Sequence, residues 1–156
     1  MKHSTLTGRI AVLAFCLFVV PALASPKNPV ERPFKIVLEE TIVLDLTDFT
    51  WTAQVSGEAT HLGQFTGYGS GAFNPVTGLI LGEMTLIAAN GDELWLELEA
   101  WGTEGPAHIT IVGGTGRFEY ASGFYDKVEG GAELVDVGET TWTFAAACKG
   151  VGRITY

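Results

Sequence analysis

The sequence predicts an all-β domain that is built as an antiparallel meander of eight strands. Short segments alternate between apolar and polar residues, they are rich in Thr, Val, Ile, Phe and Trp, and no long stretch repeats every 3.6 residues. Turn signals such as Asn74–Gly78 and Asn90-Gly91 separate these segments. A meander of this length closes into a barrel or folds into a sandwich. We expect strands at residues 34–46, 50–60, 63–73, 79–89, 92–102, 106–112, 122–134 and 139–155.

The first 24 of the 156 residues have the pattern of a signal peptide. Lys2 and Arg9 give a positive start, and the apolar run 10–20 fits a signal core but is too short to span a bilayer. Ala22-Leu23-Ala24 supplies a small-x-small cleavage site. We therefore expect a secreted or periplasmic protein, cleaved after Ala24 and without stable membrane insertion afterwards.

A single domain follows the predicted signal peptide. Residues 25–33 contain three prolines and are expected to form a flexible arm, so the barrel domain spans 34–156. Cleavage removes two cations and takes the formal net charge from −9 to −11. Such a chain repels phosphate backbones and anionic membrane surfaces, and we expect no nucleic-acid partner. Because only Cys148 remains, no internal disulfide is possible and the core must hold the domain together.

Alternation assigns an inner face to two of the strands. In strand 92–102 the residues Leu94, Leu96 and Leu98 face the core, whereas Trp95 and Trp101 lie outside. Three interpretations of these tryptophans stay open: they cover an edge, they join a subunit contact, or they are scattered surface aromatics. In the last strand small residues follow large ones, which makes room for facing side chains or leaves a cavity. Its inner face carries Trp142, Phe144, Ala146, Cys148, Gly150, Gly152, Ile154 and Tyr156.

A glycine-dense turn follows the sixth strand. Gly113, Gly114 and Gly116 fall within four residues, directly after the alternating segment 109–112 and before Arg117 and Phe118. Glycines at this density indicate a backbone that turns where no Cβ fits. We expect these three glycines to be structural.

The turn carries a resemblance to a known family. The segment 111–118, with Ala121-Ser122-Gly123 after it, resembles the strand–turn signature of plant dirigent proteins and is similar to the glycine turn of allene oxide cyclases. Segments 57–65 and 88–92 resemble, in the same order, small secreted bacterial proteins of unassigned function related to that barrel. The resemblance implies a calycin-like, eight-stranded antiparallel barrel with an apolar lumen, assembled as a homo-oligomer, either a trimer or a dimer.

The plant members of this family cyclise an unstable fatty-acid epoxide or hold radicals for stereoselective coupling. Their acidic and water-holding pocket residues do not map onto this chain. The resemblance therefore implies an architecture and transfers no catalytic residue.

Glu40 is the acid that alternation singles out. Counting by twos from Phe34 places Glu40 among inward-facing apolar residues, where desolvation would raise its pKa and suit it to proton transfer. A bulge at Glu39-Glu40, which turns both carboxylates to water, is the favoured interpretation.

Other motifs for chemistry are lacking. His61 and His108 have no neighbouring cluster of metal ligands in the sequence, so we expect no metal. The glycines of 67–72 imitate a dinucleotide fingerprint but lie in a strand pattern with no following helix, so we expect no cofactor. Cys148 is expected to be a buried and unreactive thiol with no cation beside it.

Three classes of function remain. The favoured one is the binding of a small apolar ligand in the barrel lumen, because few ionisable groups converge. The second is a cyclase or isomerase that shapes a reactive apolar substrate, with Glu40 as a weak catalytic candidate. The third is a structural or interaction protein with a filled barrel. The candidate lumen residues are Glu40, Leu94, Leu96, Leu98, Trp142, Phe144 and Cys148.

Overall fold

The protein is a closed antiparallel barrel of eight strands, in which each strand pairs with its neighbours in sequence and the last strand returns to the first. A computed structural model describes residues 29–102 and 105–156. A one-turn 3₁₀ helix, Gly116–Phe118, links the sixth strand to the seventh. This architecture confirms the predicted all-β barrel. The strands are β1 (Glu31–Asp45), β2 (Thr50–Ala59), β3 (Gly63–Phe73), β4 (Leu79–Ala88), β5 (Glu93–Trp101), β6 (Ala107–Gly114), β7 (Ser122–Val137) and β8 (Thr141–Thr155).

The structure tests only part of the predictions made for the N-terminal region. The expected signal peptide at 1–24 and the first residues of the expected arm, 25–28, lie outside the described residues. The rest of the arm is shorter than expected, because β1 begins at Glu31 rather than at residue 34. Glu31 pairs with Thr155 of β8, so closure of the barrel draws these residues into the sheet.

One half of the barrel is solidly packed. It lies at the end that holds the turns at 60–62, 89–92 and 115–121. Gly116 has a φ of 56°, and a Cβ there would clash with the carboxylate of Asp92, so the glycine turn lies close against the β4–β5 hairpin. The side chains that fill this half are no more than 1% exposed: Phe34, Ile36, Leu86, Leu94, Leu96, Ile111, Phe118 and Ile154.

The register of β1 overturns the bulge expected at Glu39-Glu40. Glu40 pairs with Val55 of β2 and with Ala146 of β8, and neither ladder shifts register at this point. Regular pairing on both sides keeps the inward alternation intact, so the side chain of Glu40 faces the lumen. The register shifts of the described strands lie instead between β5 and β6 and between β7 and β8.

The two outward tryptophans do not cover a sheet edge. Trp95 and Trp101 are each 42% exposed, as alternation predicts. Trp101 pairs with Leu79 of β4, and β5 is flanked by β4 and β6, so the strand that carries both residues has no free edge. The edge-covering role considered from the sequence is therefore wrong.

The contact between β6 and β7 is short. Four residue pairs join these strands, from His108 opposite Asp126 to Ile111 opposite Gly123. In the described part of the chain, β7 beyond Asp126 pairs with β8 alone.

Gly150 should not tolerate a side chain. A Cβ at this position would lie 2.5 Å from Cδ2 of Tyr125 and 2.9 Å from Cγ2 of Ile36, both in a well-packed region. We expect Gly150→Ala to lower the free energy of unfolding by about 1–3 kcal/mol, the usual cost of overpacking a core. Urea unfolding of the variant and the wild type measures this difference in the free energy of unfolding. Ala147→Val, on the exposed face of the same strand, is the control and should change stability little. A Gly150→Ala protein as stable as the wild type would contradict this packing.

Candidate functional site

The second half of the barrel is not filled. A cavity of about 430 Å³ occupies it, at the end of the barrel that holds the turns at 46–49, 74–78 and 138–140. Trp142 stands at this end and is 38% exposed. The apolar side chains that line the cavity include Leu38, Ile42, Leu44, Trp51, Phe73, Ile80, Met84, Leu98, Ile109, Trp142 and Phe144.

The cavity exists because the facing residues of β7 and β8 are small. Ala132 of β7 pairs with Ala146 of β8, and both line the space. Gly131 lines it as well. The sequence left open whether the small residues of β8 make room for facing side chains or leave a cavity, and both occur. Gly150 makes room for the ring of Tyr125, and Ala146 leaves a void.

Five of the seven candidate lumen residues line this cavity. They are Glu40, Leu98, Trp142, Phe144 and Cys148. Leu94 and Leu96 also point inward but are 0% and 1% exposed in the packed half, and they do not line the cavity. Alternation gives the face of a strand on which a residue lies but not its depth along the barrel, which is why the sequence did not separate these two leucines from Leu98.

Four polar side chains lie together on one wall of the otherwise apolar cavity. Glu40 comes from β1, Cys148 from β8, and Tyr125 and Lys127 from β7, three strands that are adjacent in the barrel. Cys148 is the middle member, because it pairs with β1 on one side and β7 on the other. We call this set the polar wall.

Tyr125 is the most deeply buried member of the polar wall. Its ring lies against Phe34, with the ring centroids 5.7 Å apart, and occupies the space that Gly150 leaves. The residue is 2% exposed. Burial raises the pKa of its phenol far above the ordinary value, and negative charge on Cys148 or Glu40 raises it further. The hydroxyl therefore stays protonated and is a permanent hydrogen-bond donor.

Burial also shifts the other acids of the polar wall. It raises the pKa of the Glu40 carboxyl, which favours the neutral form. It raises the pKa of the Cys148 thiol to about 11, with the charge of Glu40 adding to the effect and Lys127 opposing it. The expectation that no cation lies near Cys148 is therefore wrong. The thiol is nonetheless protonated at neutral pH, because desolvation outweighs the ammonium group.

Sequence reasoning missed Tyr125 and Lys127. The ladder between β7 and β8 shifts register between Lys127 and Glu129 and again between Leu134 and Asp136, so alternation along this strand is interrupted twice. The available signal was Gly150, since a glycine inside a strand often marks the close approach of a bulky neighbour.

The two histidines lie away from the cavity. His61 is a turn residue with a φ of 72°, and its Nε2 lies 3.1 Å from the carbonyl oxygen of Pro33. His108 is on the outer surface, with Nδ1 2.6 Å from Oδ1 of Asp126. Within residues 29–102 and 105–156, no group of three His, Cys, Asp or Glu side chains is placed to hold a metal ion. Over the same ranges, the chain forms no helix with the length and hydropathy needed to cross a bilayer.

The raised pKa of Glu40 predicts a pH-dependent gain in stability when the carboxyl is removed. Between the ordinary pKa of 4.5 and the raised value of the folded state, the folded protein keeps a proton that the unfolded chain has released. The free energy of unfolding therefore falls as the pH rises through this window. Glutamine does not titrate, so Glu40→Gln should become more stable than the wild type as the pH rises, and the difference should level off above the folded pKa.

Urea unfolding at a series of pH values measures this difference. Glu39→Gln is the matched control, because Glu39 is adjacent in sequence but exposed on the outer face. A Glu40→Gln difference that is constant across the series would show that burial does not hold the proton on this carboxyl.

Comparison with known proteins finds a likeness of fold among solved structures. No family model and no curated protein matches the chain. Among solved structures, the pterocarpan synthase dirigent protein GePTS1 is similar, with 13% sequence identity, coverage of 88% of this chain and 97% of that chain, and a TM-score of 0.48. This likeness carries no information on activity, substrate or assembly.

Proposed function

We propose that this protein binds a small apolar molecule in the cavity of its barrel. The observation that carries the proposal is the unfilled space of about 430 Å³ inside a barrel whose other half is filled by buried apolar side chains. That volume lies within the range of small-molecule sites, about 300–1,000 Å³. A mostly apolar lining with a few polar groups on one side is the usual composition of such a site.

The hydrophobic effect supplies the driving force for such a guest. Trp142 and Phe144 approach each other edge to face, with ring centroids 6.5 Å apart, and both line the cavity. An apolar guest would remove the cavity faces of these rings from water, and each methylene that it buries contributes about 0.8 kcal/mol. The cavity also counts against the third class considered from the sequence, a barrel with a filled lumen.

A second function, a cyclase or isomerase, is favoured by one observation. Glu40 lines the cavity, and burial raises the pKa of its carboxyl, as suits a group that transfers protons to a guest. Shape-directed chemistry of this kind needs few further polar groups, because the cavity restricts the conformations of the substrate.

We place the function outside the cytoplasm. The support is the charged start, the apolar run 10–20 and the small-x-small site ending at Ala24. Secretion or export to the periplasm would expose the cavity to apolar molecules of that compartment. Whether copies of the chain associate as a trimer or a dimer stays a prediction of the resemblance.

Filling the cavity should abolish binding. Ala146 lines the space, and a tryptophan there would occupy it, so we expect Ala146→Trp to weaken binding of 2-ethylnaphthalene by at least about tenfold. Ala145→Trp is the matched control, because Ala145 is the next residue on the same strand and points outward. Naphthalene fluorescence in a titration reports the binding, and circular dichroism checks that both variants fold. Equal affinity in Ala146→Trp and Ala145→Trp would show that the molecule binds elsewhere.

Catalysis by Glu40 has its own signature. If the protein is a cyclase or isomerase, it should convert an added apolar epoxide faster than buffer does. Glu40→Gln should lower that rate by about 10²–10⁴, the usual contribution of a general acid or base. Product analysis by gas chromatography measures the rate, with the exposed Glu39→Gln variant as the control. A Glu40→Gln protein that retains the full rate would remove this residue from the chemistry.

A further inference from the structure

The hydroxyl of Tyr125 opens to the cavity and forms no hydrogen bond with another described residue. The residue is 2% exposed and lines the cavity. None of the hydrogen bonds formed among residues 29–102 and 105–156 involves this hydroxyl. In the same ranges, every side-chain oxygen or nitrogen that is fully buried has a hydrogen-bond partner. The Tyr125 hydroxyl has none there, so it is not fully buried, and its accessible surface faces the cavity that the residue lines. A hydroxyl that faces an otherwise apolar cavity gains a hydrogen bond from a guest that brings an acceptor to it.

Glu40 supplies a second oxygen group on the same wall. Its carboxyl lines the cavity from β1, across β8 from Tyr125, and no described residue is hydrogen-bonded to it. Charge on Glu40 acts on both Tyr125 and Cys148, so the three groups share one neighbourhood. Burial raises the pKa of the Glu40 carboxyl, and the protonated form of this group carries an O–H donor like that of the phenol. With Glu40 protonated, the polar wall presents two hydroxyl donors to one region of the cavity.

The mostly apolar lining of the cavity selects against an ionic guest. A carboxylate guest would lose its hydration on entering the cavity, and burying a charge costs free energy that apolar contacts do not return. A cationic guest would approach the ammonium group of Lys127, which also lines the cavity. A neutral guest escapes both penalties. A carbonyl oxygen has two lone pairs and can accept from two donors at once, whereas an alcohol adds a donor that would itself need an acceptor.

We propose, on the basis of the ligand-binding function above, that the guest is a neutral apolar carbonyl compound whose oxygen accepts hydrogen bonds from the Tyr125 hydroxyl and the Glu40 carboxyl. Its apolar body extends from the polar wall towards Phe73, Ile80 and Trp142. A tyrosine and a neutral carboxylic acid together are an effective pair of donors for a carbonyl oxygen in an apolar site.

The test compares three probes of nearly equal size: 2-acetylnaphthalene, 2-ethylnaphthalene and 1-(2-naphthyl)ethanol. We expect the full-length protein to bind the ketone about tenfold more tightly than the hydrocarbon, and more tightly than the alcohol. In Tyr125→Phe the ratio of ketone to hydrocarbon affinity should fall towards one, and Glu40→Leu should also lower it. Tyr68→Phe is the matched control, because Tyr68 is 52% exposed on the outer surface and its hydroxyl does not face the cavity.

Infrared spectroscopy of the bound ketone gives a second readout, which a loss of folding cannot imitate. The carbonyl stretch should move to lower wavenumber in the wild type and in Tyr68→Phe, and part of that shift should be lost in Tyr125→Phe.

Each of the opposite results has a definite meaning. Equal binding of ketone and hydrocarbon, or a ratio unchanged in Tyr125→Phe, overturns this inference and leaves apolar-ligand binding standing. Alcohol binding as tight as ketone binding overturns the assignment of a carbonyl. Failure of all three probes to bind overturns the ligand-binding function and this inference together.

Discussion

The ladder between β1 and β8 is the constraint on which the rest of the structure depends. All fifteen residues of β1 pair with β8, from Glu31 opposite Thr155 to Asp45 opposite Thr141, without a shift in register. Closure leaves no edge at this junction and seals the apolar side chains inside. It also fixes the face of every residue in β1, because a slip of one residue would turn the whole inner set outward. The position of Glu40 in the lumen is a direct consequence of this register.

The contrast between the packed half and the cavity follows from the distribution of residue sizes. Around Gly150 the glycine and a large ring are complementary, so Tyr125 and Phe34 fill the space. Four residues away along β8, Ala146 faces Ala132 of β7, and no side chain of comparable bulk fills the space before them. Protein interiors are otherwise close-packed, and a void of this size is an arrangement that the sequence maintains at a cost in packing energy.

The sequence predicted the elements well because each is encoded locally. Alternation and turn chemistry located all eight strands, and the extra residues of β1 and β7 were the main difference. The features that the sequence did not predict depend on long-range geometry. The inward position of Glu40 required the pairing of β1 on both sides, and the depth of Leu94 and Leu96 required the shape of the closed barrel. The lumen position of Tyr125 was not predicted because two register shifts interrupt the alternation along β7, so its sequence does not show one continuous inner face.

The short contact between β6 and β7 has a consequence for the local stability of the barrel wall. Local opening is easiest where the fewest hydrogen bonds must break, and here four residue pairs hold the two strands together. Beyond Asp126 the chain of β7 is tied to β8 alone in the described part of the structure, and this stretch carries Gly131 and Ala132 of the cavity lining. The β6–β7 junction is therefore the part of the barrel wall that costs least to separate, whereas the fully paired β1–β8 junction costs most.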